Sequence, residues 1–310
     1  MATLKTLKLT NRSPKQPIRN LPPSVDVSAD TTVEDVKILI AKAVRMSDHN
    51  RIGLFDPSTK KTLKNRQARI ADEQAVASTG EVLVKDLGPQ IGWKTVFIIE
   101  YLGPILIHAA VVAARPYLYA GAPSYRDLSP TQWLGFAMFQ LHFLKREYET
   151  LFVHKFSAST MPFRNVFKNS FFYWALSGLL CAYFIYSPTS LAARADQPAI
   201  DAVGALIFLF GEVNNALVHR YLSSLRPAGS TERRIPVGYG FGLVTCPNYM
   251  FEVLSWVGVI VALRDWTSAL FICVGIAQMS DWAKGKERAY RKEFGDRYKK
   301  KRYTMLPGLF

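Results

Sequence analysis

The sequence predicts a mainly α protein: a polytopic membrane helical bundle of about six transmembrane helices, with a small α+β domain at its N-terminus. Three observations carry that expectation. From about residue 87 onward, apolar blocks near 20 residues long alternate with polar connections. The net charge is +15, and the Lys and Arg residues collect in those connections and in the tail rather than along one soluble face. Residues 1–86 have no such block and read as short strands around one amphipathic helix.

In the N-terminal domain, Leu4, Leu7 and Leu9 suggest a strand, and Pro22-Pro23 marks a turn. TTVEDVKILIAKAV then predicts a helix. Thr31 and Glu34 have the spacing of a capping box, and Val33, Val36, Ile40 and Val44 share one face. The run Glu81–Lys85 closes a small sheet. This order of elements resembles a ubiquitin-like domain, which implies a docking or stabilising role without chemistry of its own.

Residues 87–310 form the membrane domain, with predicted spans at 91–113, 130–149, 166–187, 199–221, 242–263 and 267–283. The second is the poorest, because His142, Lys145 and Arg146 crowd its end, and the last is short. The connections at 145–170 and 220–241 and the tail from Lys284 are rich in Lys and Arg, including Arg233 and Arg234. The intervening ones hold only Arg115, Arg126, Arg194 and Arg264. That asymmetry follows the positive-inside rule with both termini cytosolic and an even number of spans. It also accounts for the basic charge without a nucleic acid partner. No apolar stretch follows the basic N-terminus, so no cleavable signal is expected. Cys181, Cys246 and Cys273 have no metal spacing and read as small hydrophobes. HExxH, GxSxG and Walker patterns are absent, and GYGFG at 238–242 reads as a loop.

The informative residues are polar ones inside the spans, which cost ~2.5–3.5 kcal/mol or more each and so call for a function. Glu100 precedes a Gly103-Pro104 bend. His142, Lys145, Arg146 and Glu149 fall on two turns of the second span. Glu212, Asn215 and His219 share a face of the fourth, and Asn248, Tyr249, Glu252 and Trp256 open the fifth. Asp281 leads into a basic amphipathic end. Five spans each supply such a group, as expected for a cavity open to the cytosol. Interhelical hydrogen bonding is the alternative for each residue taken alone. Arg226, in SLRPAGS, lies beside the Asn215/His219 face. Arginine with amides and a histidine suits a ligand bearing phosphates and a ribose.

LRPAGSTERRIP, CPNYMFEVLSW and WAKGKERAYRKEFGDRY, taken in order, resemble the C-terminal region of the steroid 5α-reductase family. LGPQIGWKTVFIIEYLGP, KREYETLFVHKFSASTMPFRNVFKNS and the ubiquitin-like head point to its branch of very-long-chain trans-2-enoyl-CoA reductases. The resemblance implies a multi-pass endoplasmic-reticulum enzyme that uses NADPH to reduce a double bond conjugated to a carbonyl. Its substrate is a long-chain enoyl-CoA, its setting membrane lipid, and its partners the other enzymes of fatty-acid elongation. It implies catalytic roles for Tyr249, Lys145 and Glu100; a cation near Tyr249 would stabilise the developing charge, and Lys145 is the one expected there. It implies cofactor contacts from Asn215, His219, Arg226, Asn248, Glu252, Lys286 and Tyr290. His219 and Lys286 depart from the steroid enzymes, which have Asp and His there. Phe143 stands where those enzymes have a carbonyl-binding Tyr, which argues against a steroid substrate. A steroid or polyprenol reductase of the same architecture, a membrane methyltransferase using S-adenosylmethionine, and a non-enzymatic scaffold remain as other readings.

Overall fold

The computed structural model describes residues 6–121, 127–156, 159–194, 197–226 and 234–309. Leu4, Arg126 and Arg233, all used above, lie outside the described residues. The chain forms two compact units: residues 1–93 with 156–166, and residues 94–155 with 167–310.

In the first unit β1 (Thr6–Asn11), β2 (Ser24–Asp26), β3 (Ile52–Phe55) and β4 (Glu81–Asp86) form one sheet in the order β2-β1-β4-β3. β1 and β4 are parallel neighbours at its centre, and β2 and β3 pair antiparallel on the edges. Leu7, Ile52, Val82 and Val84 point into the core, where Val33, Val36 and Ile40 of α1 (Val33–Ala43) cover them. The capping box is shifted by one residue from the expected one. Thr32 accepts from the Asp35 amide at 3.1 Å, and the Asp35 carboxylate accepts from the Thr32 amide at 2.9 Å. Glu34 is instead drawn to Arg66 and His49. A short α2 (Gln74–Thr79) leads into β4, and β5 (Gln90–Gly92) pairs antiparallel with β6 (Thr160–Pro162).

Among the described residues, six long helical segments make up most of the second unit, near the predicted blocks. They are α3 (Trp93–Leu118), α4 (Pro130–Phe152), a composite of α5 (Asn165–Phe171), π turns (Phe172–Leu180) and α6 (Cys181–Ile185), then α8 (Pro198–Ser224), α9 (Pro247–Leu263) and α10 (Trp266–Phe294). A one-turn α7 (Leu191–Arg194) precedes α8. Ser129 caps α4 through a box with Gln132, and Asp265 caps α10. Among the described residues, α3 and α8 are long and apolar enough to cross a membrane, and α9 is apolar but shorter.

Side-chain contacts give the directions of these helices. Tyr101 meets Arg146 and Ile105 meets Gln140, so α3 and α4 are antiparallel. Ile99 meets Trp174 and Arg115 meets Tyr186, so the composite helix returns parallel to α3. Thr131 donates to Asp201, His142 meets Glu212 and Glu149 meets His219, each pair 70 residues apart, so α4 and α8 run parallel and in register. Consecutive long helices therefore alternate in direction through α10, which runs antiparallel to α9 (Phe271 on Trp256, Trp282 near Tyr249).

α8 and α9 approach most closely. A Cβ on Gly258 would stand 2.4 Å from the Phe208 amide nitrogen, and one on Gly211 2.5 Å from that of Ser255. Only glycine admits this backbone contact.

Two predictions follow from this packing. Gly258→Ala gains roughly 1 kcal/mol of helix propensity, yet the clash with backbone costs about 1–3 kcal/mol or more, so thermal unfolding of detergent-purified protein is expected to begin at lower temperature. An unchanged midpoint would contradict the close packing. In the first unit Lys37 is 6% exposed. Burial, with the Arg66 charge nearby, pushes its ammonium down to about 8 from 10.5. The unfolded chain then holds the extra proton between these values, so stability rises with pH across that window and is lower below it. Lys37→Met is expected to stabilise the sheet-bearing unit at pH 7 and to flatten that rise, as read by amide exchange of α1 in the full chain.

Candidate active site

The polar residues of α4 and α8 meet as rungs. On α4, positions 142, 145, 146 and 149 lie on one face by helical spacing, as do 212, 215 and 219 on α8, and the shared register brings the two faces together. His142 Nδ1 lies 2.8 Å from Glu212 Oε1. Lys145 Nζ donates to Asn215 Oδ1 at 2.6 Å and pairs with Glu212 at 3.0 Å and Glu149 at 3.6 Å. Arg146 donates to Glu149 at 2.8 Å and to the Tyr101 hydroxyl of α3 at 2.9 Å. His219 Nδ1 lies 3.0 Å from Glu149 and 3.3 Å from Arg146. Almost all of these groups are buried. Each therefore depends on its partners, because an ion left unpaired in such surroundings costs about 3–5 kcal/mol.

α9 extends the network. Pro247 occupies its first turn, where the missing amide hydrogen does no harm. Asn215 Nδ2 donates to the Asn248 carbonyl at 2.8 Å and to Glu252 Oε2 at 3.2 Å. His142 Nε2 and Trp256 Nε1 both lie 3.4 Å from Glu252 Oε1. Beside this face, the ammonium of Lys286 on α10 stands 5.1 Å from the centroid of the Tyr249 ring. Glu100 is buried on α3, next to Tyr101. Among the described site residues, the buried oxygens Glu100 Oε1, Glu149 Oε1, Glu212 Oε2 and Asn248 Oδ1 have no hydrogen-bond partner, although Glu149 and Glu212 form ion pairs with Lys145. Phe143 is fully buried against Tyr101, Tyr173 and Trp256.

The structure thus joins Lys145, Asn215, His219, Asn248 and Glu252 in one network and pairs Tyr249 with Lys286. The cation over Tyr249 is Lys286 rather than the expected Lys145, whose ammonium is held by Asn215, Glu212 and Glu149. Arg226 lies just past α8, where it donates to the Lys155 carbonyl at 2.8 Å and its own carbonyl accepts from Lys155 Nζ at 2.7 Å. Tyr290, one turn beyond Lys286, packs its ring 5.4 Å from Tyr298. Most of the 225–236 motif lies outside the described residues. Glu149, His154 and His219 offer ligand atoms within 4.8 Å of one another, but Arg146 already supplies a cation to two of them.

Two features had no signal in the sequence reading. Tyr101 anchors Arg146, and its one cue was adjacency to Glu100. The segment after α10 folds back on the approach to α9: Cys246 N donates to Thr304 O at 2.9 Å, Thr245 N to Tyr303 O at 3.3 Å, and Val244 bridges to Tyr303. Glu287 of α10 accepts from the hydroxyls of Thr245 (2.5 Å) and Tyr298 (2.6 Å), and Met305 is fully buried. Asn248 and Tyr249 follow directly.

Residues 159–310 match the family described as 3-oxo-5-alpha-steroid 4-dehydrogenase. A protein of Schizosaccharomyces pombe named as an enoyl reductase is 41% identical over 307 residues, covering 97% of this chain and 99% of its own. The very-long-chain enoyl-CoA reductase of Dictyostelium discoideum is 39% identical over 291 residues, 92% of this chain and 94% of its own. The human trans-2,3-enoyl-CoA reductase-like protein is 31% identical over 292 residues, 91% of this chain and 78% of its own. A helical bundle with a buried polar network near one end thus falls in a family of oxidoreductases. The chain belongs to the 3-oxo-5-alpha-steroid 4-dehydrogenase family and, within it, to the branch of enoyl-CoA reductases.

Removal of residues 303–310 is expected to leave the helices formed, as read by circular dichroism, while abolishing catalytic turnover. Full turnover in the truncated protein would exclude the tail as a support of the α9 entry.

Proposed function

We propose that this protein reduces very-long-chain trans-2-enoyl-CoA to the saturated acyl-CoA with NADPH, the last step of the fatty-acid elongation cycle. The observation that carries the reading is the convergence of Asn215, Asn248 and Glu252 on one α8/α9 face, beside the Tyr249–Lys286 pair. Membership of the enoyl-CoA reductase branch supports the substrate class.

The residues fit NADPH. The free Asn248 Oδ1 is an acceptor suited to a ribose hydroxyl or a carboxamide, and Glu252 adds a second. Three carboxylates (Glu149, Glu212, Glu252) outnumber the two fixed cations (Lys145, Arg146) in the buried network, so its interior suits the polar ribose–nicotinamide end. The phosphates are left to the basic connections, with Arg226 and Tyr290 as the proposed outer contacts, while His219 at the end of the network and Lys286 beside Tyr249 approach the cofactor from within. When bound, NADPH supplies the hydride that adds to Cβ of the enoyl thioester.

The chain's own groups handle the charge and the proton. Addition at Cβ builds negative charge on the thioester oxygen and Cα. The Tyr249 phenol donates a proton to Cα, and the Lys286 ammonium stabilises the phenolate left behind until solvent restores the proton. Lys145 orients the Asn215 amide. The free Glu100 oxygen meets the thioester carbonyl and donates to it when the carboxyl carries a proton. Phe143, lacking a hydroxyl, offers no second carbonyl donor.

The alternating directions of six helical segments support six spans with both ends on the cytosolic side. α4 would cross despite its polar groups because they pair with those of α8 and α9. The β2-β1-β4-β3 sheet, with its parallel central pair and one covering helix, supports a ubiquitin-like head. The enzyme would then lie in the endoplasmic-reticulum membrane, among the other elongation enzymes.

NADPH oxidation by detergent-purified protein with a long-chain trans-2-enoyl-CoA tests the reading. Tyr249→Phe is expected to bind NADPH as wild type does and to lose turnover by about 10²–10⁴-fold. Near-normal turnover would remove Tyr249 as donor, and wild-type protein that binds NADPH without turnover would redirect the search to steroid and polyprenol substrates.

A further inference from the structure

His142 has no part in the reaction as derived, yet it is buried at the junction of α4, α8 and α9. It is 3% exposed, with its ring edge-on to Phe143 (4.8 Å) and tilted on Trp256 (5.0 Å). The imidazole packs between those rings, and each nitrogen meets a carboxylate: Nδ1 that of Glu212 at 2.8 Å, Nε2 that of Glu252 at 3.4 Å. The far oxygens are also taken. Glu212 Oε2 pairs with Lys145 at 3.0 Å, and Glu252 Oε2 accepts from Asn215 Nδ2 at 3.2 Å. Lys145 and Asn215 close the loop at 2.6 Å. Five side chains from three helices thus form a closed ring of contacts, and in it His142 alone touches both carboxylates.

We propose that His142 is a positioning residue: by bridging Glu212 and Glu252 it sets the orientation of the Glu252 carboxylate and thereby the affinity for NADPH, without touching cofactor or substrate. The inference rests on the proposed role of the Asn215/Asn248/Glu252 face as the nicotinamide–ribose site. A relay of protons through His142 is not the reading, because both of its neighbours are already engaged by other donors and neither leads to Tyr249. The bridge acts on binding. In a free pair, Glu212 and Glu252 repel each other, and Glu252 could turn toward Trp256 alone. With the imidazole between them, both carboxylates are held where the Asn215 amide can serve Glu252 and the Asn248 carbonyl together. Holding a binding group in place through a neighbour commonly changes affinity by about 10–100-fold at metal sites, and the same logic applies here.

The test is a double-mutant cycle on the full chain in detergent, with NADPH affinity, KM for NADPH, kcat and thermal midpoint measured for wild type, His142→Gln, Glu252→Gln and the double variant. Gln has one donor group and is too unlike the ring to span both carboxylates. Under the proposal, His142→Gln raises Kd and KM for NADPH by about tenfold. kcat falls less than affinity does, the thermal midpoint does not track the loss, and the double variant binds no worse than Glu252→Gln alone. An unchanged Kd in His142→Gln, losses that multiply in the double variant, or an affinity loss that follows the thermal midpoint would each overturn it. Failure of wild type to bind NADPH would overturn the cofactor reading and this inference with it. Wild-type binding and turnover with an indifferent His142→Gln would overturn this inference alone.

Discussion

The backbone contact between α8 and α9 is the constraint on which the site depends. With glycine at 211 and 258 the two helices come close enough for the short Asn215 side chain to reach a main-chain carbonyl of its neighbour. A wider spacing would leave that amide unsatisfied and put Glu252 beyond its reach. The remainder of the polar network is arranged around this contact. α4 joins in parallel register with α8, and its cations answer carboxylates that α8 and α9 have brought into apolar surroundings. Burying so many charges is costly, and it is tolerable because nearly every group serves two partners.

Much of this was legible in the residues. Spacing alone assigned positions 142–149, 212–219 and 248–256 to three helical faces, and the cost of polar groups in apolar segments marked those faces as functional. The helical blocks also fell close to their predicted places. Other features were hidden for physical reasons. The hydropathy of α4 and α10 is diluted by the same charged residues that build the site or continue the helix to Phe294, so length and apolarity single out only α3 and α8 among the described residues. The partner of Tyr249 depends on how α10 rotates against α9, which no local pattern encodes. Both Lys145 and Lys286 carry the right charge, and only the packing tells which one stands over the ring. The capping box moved by one residue because Thr31-Thr32 and Glu34-Asp35 offer two overlapping solutions, and Arg66 and His49, distant in sequence, draw Glu34 away.

The two ends of the bundle contrast. Away from the network, Arg264 ties Gln197 and Asp201 to the turn between α9 and α10, and Gln132 reaches the carbonyls of Ile185 and Ser187. Those contacts join loops to helix ends. At the other end, buried oxygens of Asn248 and Glu100 still lack a donor. Acceptors left without a protein donor at such a place are what a ligand with donors of its own would satisfy.

The fold-back of residues 303–305 onto residues 244–246 has a consequence for biosynthesis. A ribosome makes this segment after every helix, so the entry to α9 lacks its supporting strand while the rest of the bundle inserts and packs. Nascent chains would therefore pass through a stage in which the polar rungs of α4 and α8 already exist and Asn248 and Tyr249 do not yet have their final setting. Packing of the α9 entry waits on residues 303–305, and a chain that stops before them holds its helices without that support.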